Sequence, residues 1–440
     1  MTDSPAAPMG NRAVLRLPEF RKLFVAQAIS DVGDGMTFTA LLLLVNNLTH
    51  SPAALAVLSI AVAVPSMVGG IIAGAYADRL DRRRIMIVSD SIRALLVVGF
   101  VIVGTVERLP ILYLVAFAQA TIGTFFSPAR GALIPRVVPR EGLLAANGLG
   151  QISRTVGNLI GTALIGLVIA LTGTYWPAFV LDAATFVASV LIVLRVDPAL
   201  GRVAVASGER HASGVGASAV EGLRLIGRSP TLVATILGLS IAGLGLGAVN
   251  LLFVPFVMNT LAASAVWVGP IEGAQTLSLV AAGGLVAVLA RRMSAQSMVA
   301  GGLAGVGILI AILYAAPNVY FLLVVAFCFG WFVTPLQAST QTIVQSVTSD
   351  ATRGRVIGAL QASMSTTQIV SIALAGVFAS IIGIRGLFLI AGLVCLVAAA
   401  VTAALFRADR GRAGAVPSSA AELDDGHGSH PQAAAPAARG

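Results

Sequence analysis

The chain has 440 residues, 57% of them hydrophobic and only 11% charged, so a water-soluble enzyme or nucleic-acid-binding domain is excluded and a polytopic membrane protein is expected. The formal charge of +9 does not point to nucleic acid, because the arginines stand in small groups between apolar runs and not on one basic face.

Met1 to Leu17 is polar and carries Arg12 and Arg16, and the first apolar run, Phe20 to Leu48, is too long for the core of a cleavable signal. It is expected to be the first membrane helix. At about 20 residues per crossing, about twelve spans are expected, near 20–47, 53–76, 85–106, 110–127, 150–172, 175–195, 230–258, 264–290, 297–316, 318–341, 361–383 and 385–406. Polar segments after the fourth and tenth runs are expected to prolong those helices. Residues 1–19 read as an N-terminal tail and 196–229, rich in Gly, Ser and Ala, as a linker with a short helix from about Ala219. The linker separates a six-helix half at 20–195 from another at 230–406, and 407–440 reads as a disordered tail.

With the N-terminus inside, Arg12, Arg16, Arg21 and Lys22, Arg79 and Arg82–Arg84, Arg130, Arg136 and Arg140, the linker arginines, Arg291 and Arg292, Arg353 and Arg355, and Arg407 to Arg412 all fall on the cytoplasmic side, while the outer loops keep Arg108 and Arg385. This asymmetry predicts a cell-membrane protein with both termini cytoplasmic. Arginine in place of lysine and the Ala/Gly richness fit a bacterial chain. The halves repeat: SPARGALIPRVVPREGLLAANGL after the fourth run is echoed by TPLQASTQTIVQSVTSDATRGRVIGAL after the tenth, and GGIIAGAYADRL by GGLVAVLARRM.

The stretch Gly69–Met86, GGIIAGAYADRLDRRRIM, ends one apolar helix and starts the next across a charged turn. Gly74, Asp78, Arg79, Arg82 and Arg83 fit the pattern Gly-x-x-x-Asp-Arg-x-Gly-Arg-Arg/Lys, and in this the chain resembles the major facilitator superfamily between helices 2 and 3. Asp81 stands where that pattern has glycine, a position expected to tolerate a left-handed turn. From Gly148 the chain also resembles the superfamily's antiporter signature, with Gly157 and Gly161 in register, Thr162 in place of the proline, and Gly166 one place late. The resemblance covers about Pro18 to Arg407. It implies an all-α integral membrane fold of two pseudo-symmetric six-helix halves with a substrate site near the bilayer midplane. It further implies a latch in which Asp78 meets the N-terminal end of helix 11, near Arg353 to Ile357.

No phosphate loop and no nucleophile–base pair is present, so ATP-driven transport and catalysis are not expected. His50, His211, His427 and His430 make no metal set, and Cys328 and Cys395 lie inside apolar runs. What remains are ionisable groups inside spans, each of which calls for a reason. Asp31 and Asp34 share a face of helix 1 near mid-bilayer and suit reversible protonation or pairing with a cationic substrate; relatives by resemblance with this Gly-Asp-Gly stretch are drug and siderophore exporters. The alternative for both is a structural acid packing helix 1 at Gly33 and Gly35. Asp90 and Arg93, three apart in helix 3, are expected to pair with each other or with Arg82–Arg84 as gating groups too shallow to touch substrate. Arg154 is expected to open helix 5. Asp182 and Glu272 either line the cavity or cap neighbouring helices. Gln27, Gln119, Asn250 and Gln275 are polar cavity candidates, and Phe253, Phe256 and Trp267 aromatic ones. A sparse-acid, apolar cavity favours amphipathic or weakly cationic small molecules. The expected protein is a secondary transporter that needs no cofactor beyond a proton gradient and works as a monomer in contact with lipid. Export of a drug-type molecule is the leading expectation; an importer, a siderophore or lipid exporter, and a non-transporting sensor or scaffold are the alternatives.

Overall fold

The apolar runs fold as long helices in the computed structural model, which describes residues 9–77, 80–201, 224, 226–227, 229–348 and 350–414. After a short leading helix, Asn11–Leu15, the chain forms α1 (Pro18–Thr49), α2 (Pro52–Ala77), α3 (Arg82–Val98), α4 (Leu109–Val137), α5 (Leu143–Thr172) and α6 (Trp176–Val193). The second set is α7 (Pro230–Pro255, continued by Phe256–Thr260), α8 (Val268–Ala281, continued as Gly283–Ala290), α9 (Ala295–Ile312), α10 (Val319–Val347), α11 (Asp350–Ile382) and α12 (Ile384–Gly414). Among the described residues eleven helices are apolar and long enough to cross a membrane, and α2 adds the shorter apolar stretch Pro52–Pro65. No strand occurs among the described residues.

Local chemistry places the boundaries. α1, α4, α6 and α7 each carry proline in the first turn, where a missing N–H costs nothing. Ser229, Ser294 and Asn318 cap α7, α9 and α10 by accepting backbone N–H bonds at 3.3, 3.2 and 3.0 Å. α5 stops at Gly173, whose φ of 68° suits a residue without Cβ. Past Pro255 the backbone widens into a turn of π-helix, Leu261 N–H bonding Phe256 O at 2.9 Å.

Several boundaries differ from the sequence expectation. α5 begins at Leu143 and not at 150, which places Arg154 well inside the helix instead of at its opening. α12 runs on to Gly414, so the first residues of the expected disordered tail are helical; a formed helix propagates cheaply through Arg and Ala. Within the expected linker, Pro198–Gly201 is helical and Val196 is buried with Leu23, Met86 and Val193. Asp81 does not take a left-handed turn. Its φ is −59° and its side chain caps α3, accepting from Arg84 N–H at 3.0 Å, so the residue substitutes capping for the flexibility of glycine. Arg82 and Arg83 donate to backbone carbonyls of Ala132, Val193 and Leu194, tying the start of α3 to the ends of α4 and α6. Of the linker helix expected from about Ala219, Arg224, Ile226 and Gly227 are described and helical, with Ile226 buried, while Asp78, Arg79 and the chain beyond Gly414 lie outside the described residues.

The same five helix pairings recur in both sets: α1 with α5 and α6, α2 and α3 with α4, and α3 with α6, matched by α7 with α11 and α12, α8 and α9 with α10, and α9 with α12. The two sets meet chiefly through the equivalent pairs α2–α11 and α5–α8. Their shared ground lies at the arginine-poor end. One apolar core there mixes both sets, joining Leu55, Phe100 and Phe179 with Phe256, Ile271 and Phe388. At the arginine-rich end the buried clusters belong to one set or the other: Leu23, Met86 and Phe126 on one side, Leu303, Ile343 and Phe406 on the other.

Candidate functional site: a chamber between the two halves

Two adjoining cavities lie between the helix sets, of about 510 and 470 Å³, and share Phe38, Thr39, Val62 and Glu272 in their walls. The larger is lined mainly by α7, α8, α9 and α10 and is largely apolar, with Phe253, Leu309 and Phe329 in its wall and Glu272, Asn250, Gln275 and Gln368 among its polar points. The smaller belongs mostly to the first helix set and contains Asp34, Arg93, Gln119, Asn158 and Thr162.

Arg93 organises the smaller cavity. Its guanidinium forms an ion pair with Asp34 of α1, lies 3.8 Å from Asp90 one turn back on α3, and stacks 4.2 Å from the ring centre of Phe186 on α6. Gly123 on α4 gives it room to pass. Asp90, fully buried, accepts from Ser189 Oγ at 2.6 Å. The sequence expectation keeps Arg93 away from substrate on grounds of depth, whereas its guanidinium reaches across to Asp34 of α1 and lines the smaller cavity. The expected pairing of Arg93 with Asp90 is present, and Asp34 of α1 is a second partner that the sequence expectation does not name.

The two acids of α1 separate. Asp34 faces the cavity, whereas Asp31 is 4% exposed and clamps α1 to α5, accepting from Gln27 Nε2 at 2.5 Å and Ser153 Oγ at 2.8 Å. Asp182 has the same kind of duty between α6 and α1, accepting from Thr37 Oγ1 at 2.6 Å and Thr185 Oγ1 at 3.0 Å against the Cβ-less face of Gly33. Asp31, Gln27 and Asp182 thus leave the walls of both cavities. Buried acids are tolerated there because each is met by hydrogen-bond donors.

Gly157 and Gly161 let α5 lie against α1: a Cβ on Gly157 would stand 2.6 Å from Asp31 Cβ, and one on Gly161 2.5 Å from Met36 N. Gly148, by contrast, faces open space and takes no part in that contact. Thr162, where the resembled signature has proline, shares a hydrogen bond with Thr39 of α1 at 3.1 Å and faces the Glu272 carboxylate of α8. Arg154 is exposed on α5, one helical turn before Asn158 and two before Thr162. Phe256 is fully buried against Phe388, and Trp267 packs on Tyr320, so neither joins Phe253 in the cavity.

The sites missed in the sequence are Phe38, Thr39, Asn158, Phe329 and Gln368. One signal was available for Asn158: Arg154, Asn158 and Thr162 recur every four residues and mark a single polar stripe on an apolar helix. At the arginine-poor end Asn46 and Asn259 exchange side-chain hydrogen bonds of 3.1 and 3.0 Å across the helix sets.

Comparison with known proteins agrees with this architecture. Residues 9–423 match the family model described as transmembrane secretion effector, of the MFS type. The multidrug efflux pump Tap of Mycolicibacterium fortuitum is 27% identical over 387 residues, which cover 83% of this chain and 90% of that protein. The enterobactin exporter EntS of Shigella boydii is 29% identical over 189 residues, 42% of this chain and 44% of that one. Among solved structures, a bacterial homologue of the human lysosomal transporter Spinster, in an inward-facing conformation, superposes with a TM-score of 0.70 at 15% identity, covering 89% of this chain and 98% of that one. Twelve helices in two matched sets, a chamber between them and a family match over nearly the whole length make this chain a member of the transmembrane secretion effector family within the major facilitator superfamily, a multi-pass membrane transporter and not an enzyme.

Proposed function

We propose that this transporter exports an amphipathic small molecule from the cytoplasm in exchange for protons, by alternating access, with both termini on the cytoplasmic side. The observation that carries the reading is the chamber itself. A largely apolar cavity adjoins one that holds a single ion pair, Asp34–Arg93, between two helix sets whose apolar cores merge at one end alone among the described residues. An apolar body and a weakly cationic or polar head fit such a space better than a sugar, which needs many hydrogen-bonding side chains. Relatives whose names are efflux pump and exporter support the outward direction. The arginine-rich ends support the cytoplasmic placement of the termini. Asp34 serves as the exchange group: a proton arriving from outside takes the place of Arg93 on its carboxylate, and its departure inside restores the pair.

The test is accumulation of lipophilic cations and antibiotics in cells lacking their own pumps. Wild type is expected to lower accumulation, a protonophore to abolish the effect, and Asp34→Asn to bring accumulation within about twofold of cells without the transporter. Export by Asp34→Asn at the wild-type rate overturns Asp34 as the exchange group. A substrate that instead enters faster with the transporter overturns the direction.

Alternating access also assigns a role to the Asn46–Asn259 exchange, which holds the arginine-poor end shut. Asn46→Leu is expected to lengthen the distance between spin labels carried by Ser51→Cys on the loop before α2 and Ser380→Cys on α11. An unchanged distance distribution refutes that role.

A further inference from the structure

Helix α4 sends into the first helix set a polar side chain that the ion pair and the helix clamps do not use. Gln119 is 8% exposed and stands in the wall of the smaller cavity. Neither its Nε2 nor its Oε1 has a hydrogen-bond partner among the described residues. Other polar side chains of this region have partners, Asp34 with Arg93, Asp90 Oδ2 with Ser189 and Thr39 with Thr162, and beside them Arg93 Nε and Asp90 Oδ1 make no hydrogen bond among the described residues. A carboxamide buried with both ends unpaired is unfavourable, and leucine at the same place is the stable choice for a membrane helix. Ala116 and Ala120 line the same wall and leave the amide room to swing toward the space.

A side-chain amide offers an acceptor and two donors in one plane. A group that satisfies both kinds at once presents a donor and an acceptor side by side, as a primary amide, lactam, carbamate or urea does. The Asp34 and Arg93 charges in this wall are paired with one another, and Gln119 is the neutral side chain there with both ends of its amide unpaired among the described residues. The geometry points to Gln119 as the specificity-determining residue, which takes a neutral amide-type group of the substrate in a paired hydrogen bond while the apolar body of the same molecule lies in the larger cavity. The inference deepens the export reading and rests on it, since it names the chemical class that the chamber selects.

The experiment uses the purified full-length chain in detergent and a matched pair of probes, 1-naphthaleneacetamide and methyl 1-naphthaleneacetate, titrated calorimetrically. Wild type is expected to bind the amide about tenfold more tightly than the ester. Gln119→Leu is expected to bind the two within about twofold, with the ester affinity unchanged. Its thermal midpoint should be no lower than that of wild type, because the substitution removes an unpaired polar group. Gln119→Met should repeat both results. Equal binding of the probes by wild type, binding of neither, or a preference retained by Gln119→Leu overturns the inference. So does a lowered midpoint in both variants, which assigns the amide to structure. Export of amphiphiles with no amide preference defeats this inference alone, whereas amide-selective binding without export defeats the export reading alone.

Discussion

Arg93→Leu is expected to lower the thermal midpoint of the purified transporter by about 5–10 °C and to abolish export. The guanidinium faces two carboxylates from two helices and an aromatic ring from a third. Removing it strands both acids. Breaking a buried pair by deleting one partner costs about 3–5 kcal/mol, because the survivor keeps the desolvation penalty without the attraction. The two acids do not share that cost equally. Asp34 has a side chain 37% exposed at the cavity, so water offsets much of its share, while Asp90 is fully buried and carries most of it. Arg93→Lys should recover part of the stability but less of the transport, since a point ammonium cannot span Asp34, Asp90 and the face of Phe186 at once. A melting curve for Arg93→Leu within about 2 °C of wild type refutes the assignment of Arg93 as the centre of the first helix set.

Gly161→Val is expected to leave no monodisperse protein after extraction, while Gly148→Ala extracts, melts and transports like wild type. Both glycines belong to one sequence pattern, so the pair isolates geometry from composition. A Cβ at Gly161 meets the backbone of α1, the carbonyl oxygen of Val32, the nitrogen of Met36 at 2.5 Å and the carbonyl carbon of Gly35 at 3.0 Å. Backbone cannot turn aside as a rotamer does. Overpacking costs about 1–3 kcal/mol where side chains adjust, and a contact made entirely of main chain stands at or beyond that upper figure. The helices must part, and with them go the Asp31–Ser153 and Thr39–Thr162 bonds along the same seam. Gly148 has nothing within 4 Å of its Cβ position and loses nothing. Size-exclusion chromatography of the two variants decides the matter: a symmetric Gly161→Val peak, or an aggregated Gly148→Ala, contradicts the packing of α5 on α1.

The fold was legible because its causes are written along the chain. Apolar runs of membrane length and arginine between runs mark the helices one after another, and the repeat across the linker doubles the evidence. The chamber was legible only in part. Asp34, Gln119, Asn250, Gln275 and Glu272 were found because a polar group in an apolar span demands a reason, and that rule identifies candidates without saying which way they face. Asp31 and Asp182 satisfied the rule equally and turned out to bind helix to helix, while Gln27 bonds Asp31 within α1. In a membrane protein both faces of a helix are apolar, so periodicity does not tell the chamber from the seam. Arg93 was misjudged for a different reason: depth was counted along the backbone, whereas the charged atoms sit wherever the side chain can carry them. Asp81 was matched to a pattern of identities, while the position demanded a function, ending one helix and starting another, that a cap supplies as well as a glycine does.

Under the alternating access proposed above, the exchange between Asn46 and Asn259 is expected to act as a thermodynamic set point. Each neutral hydrogen bond contributes about 0.5–1.5 kcal/mol net, so the two together are worth about 1–3 kcal/mol. That range raises the ratio of shut to open populations at that end roughly 5- to 150-fold, on top of the apolar contact made there. An ion pair in lipid would hold the end too firmly for cycling, and bare apolar contact would fix no register. Two reciprocal amides give a resting ratio that is decisive without a substrate yet within reach of what one bound molecule or one proton can reverse.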